Sequence, residues 1–175
     1  MATPEDDSRA LEQRKRDVIR AVRRAFGEFK LPESAVELTG VGAGQGLEEP
    51  YVLEHFLGKT RSDVENAFLP SLHMEDFSYM SKQGVGYYLP AVLGLMLDHP
   101  DDSDLWIYLS GFLRRRADEL PWLSAAQCHV ISEWADCLLA LWDDDGWECG
   151  IYWLEANDRK HLVGLTQDYR AHATR

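Results

Sequence analysis

Hydrophobic positions recur at three- and four-residue spacing along most of this chain, and the strict alternation of a half-buried strand is rare. Residues 8–29 set Leu11, Val18, Ile19, Val22 and Phe26 on one stripe, with Asp7 or Ser8 as the capping residue that starts a helix. Residues 35–38 read as a short strand-like run that leads into a Gly-rich turn, Gly40-Val41-Gly42-Ala43-Gly44-Gln45-Gly46. Residues 47–57 read as an element that buries Tyr51, Val52, His55 and Phe56 and stops at Gly58. Thr60 or Ser62 opens a short helix carrying Val64, Phe68 and Leu69, and Pro70 ends it. Residues 71–79 suit a helical turn followed by a connection.

The second half is more strongly patterned. The segment Gly84-Val85-Gly86-Tyr87-Tyr88-Leu89-Pro90-Ala91 leads into a helix whose first turn should hold Pro90, where a missing N–H costs nothing. Val92, Leu93, Leu95, Met96 and Leu97 leave this helix almost no polar face, so it belongs in the middle of the fold. Asp102 or Ser103 caps a helix with Leu105, Tyr108, Leu109, Phe112 and Leu113, and Arg114, Arg115 and Arg116 complement the dipole at its end. Ser124-Ala125-Ala126-Gln127 is a capping box. The helix behind it carries Val130, Ile131, Trp134, Cys137, Leu138 and Leu141 and ends in Asp143-Asp144-Asp145-Gly146, carboxylates where the dipole disfavours them. Residues 147–154 suit a short strand or a helical turn, and residues 157–170 a last helix with Leu162, Leu165 and Tyr169. The expected fold is all-α, an irregular bundle or array of about six to eight helices with room for one short β element.

Length and charge refine this picture. The 175 residues suit one domain, a basic amphipathic N-terminal helix in residues 1–30 followed by an acidic body in residues 31–175. Eight Lys and Arg oppose six Asp and Glu in the first part, and ten oppose twenty-four in the second, so the body alone carries −14 of a total of −12. Such a surface repels nucleic-acid phosphates and anionic membranes and attracts a basic protein. Met1 to Asp7 is polar and acidic, unlike a signal peptide, and the longest apolar stretch, residues 89–97, is too short to span a bilayer. With three cysteines, Cys128, Cys137 and Cys149, and no C-x-x-C, the expected setting is the reducing cytoplasm.

Motifs for chemistry fail on spacing. Counted from Gly40, the sixth position of G-x-G-x-x-G is Gln45, and no G-K-[ST] follows. If Asp143, Asp145 and Gly146 were positions three, five and six of a calcium loop, position one would be Leu141 and position twelve Tyr152, so two oxygen ligands are missing. His129 and Glu133 share a helix face but lack a third ligand. Cys128 and His129 point about 100° apart on a helix, and Cys128 and Cys137 suit core space. The expectation is therefore no catalytic residue, no metal and no cofactor. Asp143, Asp144, Asp145, Trp147 and Glu148 mix carboxylates with an aromatic anchor and are the candidate partner-binding residues.

Four segments resemble a bacterial domain family of unknown function: Gly46-Leu47-Glu48-Glu49, Ser62-Asp63-Val64, Gly86-Tyr87-Tyr88-Leu89-Pro90-Ala91, and Leu123-Ser124-Ala125-Ala126-Gln127. The resemblance covers residues 40–141. Arg61 stands where that family has Trp, and Met80-Ser81-Lys82-Gln83 replaces a more acidic turn. It implies a bacterial origin and one compact unit, and supplies no chemistry.

Small size, cytoplasmic character and the acidic body together lead to the expectation of a non-catalytic protein-binding module. The form expected is an immunity- or antitoxin-like inhibitor of a basic bacterial toxin such as a nuclease. The alternatives are a structural or regulatory module that forms homo-oligomers, and an enzyme whose site is dispersed along the chain.

Overall fold

In the computed structural model the described residues are 4–41, 46–67, 74–117, 122–144 and 156–174. They form eight α-helices and one 3-10 segment, with no strand among them. In chain order the helices are α1 (Pro4–Ala25), α2 (Ala35–Thr39), α3 (Glu49–Phe56), α4 (Arg61–Ala67), α5 (Lys82–Asp98), α6 (Ser103–Ala117), α7 (Ala125–Asp144) and α8 (Ala156–Ala173). The 3-10 segment, Met74–Tyr79, precedes α5. No helix is long and apolar enough among the described residues to cross a membrane.

The centre is α5. Between residues 84 and 97 every side chain except Tyr87 is buried. A helix apolar on all sides must be covered on all sides. Here α1, α2, α4 and α7 pack against it directly. A second layer forms where α8 lies along α7 and touches α6, and where α3 bridges α2 and the 3-10 segment. The expected stripes of α1, α7 and α8 face this core: Val18, Val22 and Phe26, then Val130, Ile131, Trp134, Cys137, Leu138 and Leu141, then Leu162, Leu165 and Tyr169 are all buried.

Several buried side chains donate to backbone carbonyls. The Trp134 indole donates to the Leu93 carbonyl (2.8 Å), the Trp142 indole to Pro100 (3.0 Å), and the Tyr169 hydroxyl to Leu113 (3.2 Å). Trp106 stacks edge-on with Trp142 at 4.9 Å between ring centres and donates to Asp158 (3.0 Å), which joins α6 to α7 and α8. The capping box at the start of α7 forms as expected: the Ser124 N–H donates to Gln127 Oε1 (2.9 Å) and the Gln127 N–H to Ser124 Oγ (3.2 Å). The same Gln127, 1% exposed, also donates from Nε2 to the Ala25 carbonyl (3.2 Å) and to Glu28 (3.0 Å), so one side chain caps α7 and accepts the end of α1.

Several expectations are corrected. Residues 35–38 are helical: Ser34 Oγ accepts the Glu37 N–H (3.3 Å), Glu37 reaches back to the Glu33 N–H (2.7 Å), and Gly40 closes the helix in the left-handed conformation at φ 79°. That is helix-cap chemistry, which a four-residue apolar alternation does not outweigh. Helix α1 begins at Pro4, so Asp7 and Ser8 lie inside it. Pro90 sits in the interior of α5, because Ser81 caps that helix nine residues earlier by accepting the Gly84 N–H (3.0 Å). An interior proline costs about 3 kcal/mol, and the complete burial of α5 offsets it. Tyr51 and Tyr108, expected inside, are 55% and 37% exposed, and Trp106 takes the core position on α6. The expected elements at residues 68–70 and 147–154 fall outside the described residues.

Glycine sets how closely the shell approaches α5. A Cβ on Gly84 would lie 2.5 Å from the Leu38 carbonyl oxygen of α2, and one on Gly86 would lie 2.5 Å from the Phe29 ring. Backbone cannot yield as a flexible side-chain tip can, so Gly84→Ala must push α2 away from α5. We expect it to lower the unfolding free energy by about 1–3 kcal/mol, measured as a fall in the urea midpoint at unchanged slope. An unchanged midpoint would contradict this contact.

Candidate functional site

Of the five residues expected to bind a partner, Asp143 and Asp144 lie among the described residues. Asp143 lies in the last turn of α7, half exposed, and pairs with Arg159 of α8. That pair explains a carboxylate at a helix end where the dipole disfavours it: a cation from the next helix compensates. Asp144 is the final residue of α7, and only its backbone is described. Asp145, Trp147 and Glu148 lie outside the described residues.

His129 and Glu133 face each other at 3.6 Å on the exposed side of α7. Among the described residues no three His, Cys, Asp or Glu side chains converge closely enough to hold a metal ion. Cys128 and Cys137 are buried, and burial pushes both thiols up from their ordinary range. Cys149 lies outside the described residues.

A different surface stands out. Five of the eight large hydrophobic side chains exposed among the described residues, Val36, Val41, Leu47, Tyr51 and Tyr79, come from α2, α3, their connection and the 3-10 segment. Val41, Leu47 and Tyr79, exposed by 41%, 92% and 49%, line a groove of about 470 Å³ together with Thr39, Gly46, Glu48 and Glu49. Glu48 is exposed on its rim, whereas Glu49 is 4% exposed. The segment Gly46-Leu47-Glu48-Glu49 carried part of the family resemblance, and here it forms one wall of the groove.

Local chemistry holds this groove in place. Thr39 Oγ1 donates to the Ala35 carbonyl (2.9 Å) and accepts the Val41 N–H (3.4 Å), which fixes the chain as it leaves α2. Ser81 donates its hydroxyl to the Glu37 carbonyl and its N–H to the Leu38 carbonyl (2.8 Å), so the start of α5 anchors the end of α2. Below α3, the His55 ring nitrogen Nδ1 lies 2.6 Å from Asp76 of the 3-10 segment. Phe56 meets Phe77 and Tyr88 edge-on at 5.7 and 5.1 Å, and Phe77 meets Phe112 at 5.6 Å. The Tyr88 hydroxyl donates to the Phe56 carbonyl (2.5 Å) and lies 2.7 Å from that of Lys59, which satisfies carbonyls at the C-terminal end of α3. Burial raises this phenol well above its ordinary range, so it stays protonated and remains a donor.

The electrostatics are one-sided. Residues 33–79 hold nine Asp and Glu and two cations, Lys59 and Arg61. Lys59 donates to the Glu54 carbonyl (3.0 Å). Arg61 donates to the carbonyls of Tyr87 (2.5 Å) and Phe26 (3.2 Å), with its guanidinium 4.5 Å from the Tyr87 ring centre. Burial lowers the Arg61 guanidinium below its ordinary value. Other depressions differ in kind. The one between α1 and the end of α5 is crossed by the Lys15–Asp98 ion pair at 2.9 Å, and the one between α1 and α7 mixes Arg14 with Asp17, Glu133 and Asp136.

Compared with family models, with curated proteins and with solved structures, the chain matches none. The groove was not visible in sequence because its apolar residues come from two separate segments, Val41 and Leu47 from the connection after α2 and Tyr79 from the 3-10 segment. The Ser34-x-x-Glu37 pattern, a helix start, was the available signal.

Both described cysteines are expected to resist iodoacetamide at about pH 8 while the protein is folded and to react in urea, as read by peptide mass spectrometry. Labelling of Cys128 or Cys137 without unfolding would show an accessible thiolate and contradict their place in the core.

Proposed function

We propose that this protein is a non-catalytic binding module, an immunity- or antitoxin-like inhibitor that engages a basic bacterial toxin, a nuclease being the type of enzyme whose cationic site such a surface complements. The observation that carries this reading is the groove itself: three exposed apolar side chains, Val41, Leu47 and Tyr79, set among carboxylates on a chain of net charge −12. Exposed apolar and aromatic groups inside a polar, charged rim are the anatomy of a protein-docking surface. Charge selects the partner. A cationic protein is steered toward this face, while a second copy of the chain would bring carboxylates against carboxylates. A nuclease holds phosphates with Lys and Arg, and an array of carboxylates can occupy those same cations.

The test is a tagged capture from the native host at low salt, eluted with a salt step and identified by mass spectrometry. We expect one stoichiometric basic protein, released as ionic strength rises and inhibited by this chain in its own assay. Leu47→Ala, at an exposed position, should weaken the complex about tenfold. A neutral or acidic partner indifferent to salt, or self-association through this face, would contradict the proposal.

A further inference from the structure

We infer that the groove receives an arginine side chain of the partner, presented from an apolar segment. This rests on the reading of the face as a protein-docking surface and adds to it the chemistry of the occupant. The volume of about 470 Å³ lies within the range of roughly 300–1,000 Å³ typical of sites that enclose a compact ligand. Its walls are apolar where a side-chain stem would lie, at Val41 and Leu47, and acidic at Glu48 and Glu49. A cation with a long aliphatic stem matches both parts at once. The negative balance of residues 33–79 extends this complementarity beyond the groove, and the two cations of that stretch are engaged with backbone carbonyls.

Arginine fits better than lysine because of Tyr79. Half of this residue is exposed, and it lines the same groove as Glu48. A guanidinium is planar, lies flat on an aromatic ring, and offers forked N–H groups to a carboxylate at its edge, whereas an ammonium is a compact and strongly hydrated point charge. The chain makes the same pairing internally, with Arg61 over Tyr87.

The experiment is a titration of the full chain, followed by NMR, with three probes: acetyl-Leu-Arg-Leu-amide and its lysine and norleucine counterparts. We expect saturable shifts at Val41, Leu47 and Tyr79 with the arginine peptide, about fivefold weaker binding of the lysine peptide, and weaker still of the norleucine one. Glu48→Gln, at an exposed position, should weaken the arginine peptide and leave the norleucine peptide unchanged, and Leu47→Ala should weaken all three peptides alike. Tyr79→Leu, also at an exposed position, should erase the preference for arginine over lysine. Equal binding of the arginine and norleucine peptides, or shifts confined to other surfaces, would overturn the inference. The outcomes separate from those of the capture experiment. Arginine binding in the groove without a basic partner from the host retains this site and removes the inhibitor reading. A basic toxin bound equally by the parent chain and by Tyr79→Leu retains that reading and removes this one.

Discussion

Everything in this fold answers to the burial of α5. A seventeen-residue helix with almost no polar side has no stable position at a surface, so the other helices are arranged to enclose it. Long helices serve one flank: α1 and α7 lie against it, and α8 backs α7. Buried polar atoms on this flank are hydrogen-bonded, the Trp134 indole to the Leu93 carbonyl and the Gln127 amide to the Ala25 carbonyl and Glu28. The constraint also explains two features that would be faults elsewhere. Pro90 is tolerated inside the helix because enclosure by neighbours stabilises the helical path. Gly84 and Gly86 leave the N-terminal half of the helix bare enough for the Leu38 carbonyl and the Phe29 ring to approach.

The other flank is covered differently, and its surface is where function is proposed. Short elements, α2, α3, α4 and the 3-10 segment, close over the first half of α5. A helix of five or eight residues presents few inward positions, Leu38 and Thr39 for α2 and Glu49, Val52 and Phe56 for α3. Val36 and Tyr51 are the result on the helices, and Val41, Leu47 and Tyr79 on the segments between them. Exposed apolar surface is costly to keep unless something binds to it. In the proposed function, the nine acidic residues of this stretch are what select a cationic partner over a second copy of the chain.

How much of this was legible follows from where the information lies. The interior of α5, the stripe of α7 and the Ser124–Gln127 cap were readable because each is a local pattern repeated over several turns. Trp106 was missed for a related reason: the α6 stripe of Leu105, Leu109, Phe112 and Leu113 admits either Trp106 or Tyr108 beside it, and the packing partner Trp142 decides. Helix α2 was misread because a run as short as Ala35-Val36-Glu37-Leu38 shows no clear period, and its capping residues Ser34 and Gly40 were the better evidence. Of the acidic site expected around Asp143, the described residues include the ion pair of Asp143 with Arg159, and Asp145, Trp147 and Glu148 lie outside them. The groove was invisible because Tyr79, thirty residues beyond the 39–49 stretch that supplies the rest of its lining, joins that stretch only in the folded chain.

Native-state hydrogen exchange tests the central claim most directly. If α5 is the element on which the fold depends, its amides from Ala91 to Leu97 are the slowest in the protein. They then exchange only by global unfolding, with opening free energies equal to the stability measured in urea. The amides of α2 and α3 should open at lower free energy while α5 stays closed. Exchange of α5 through a local opening that leaves α7 and α8 protected would contradict this account.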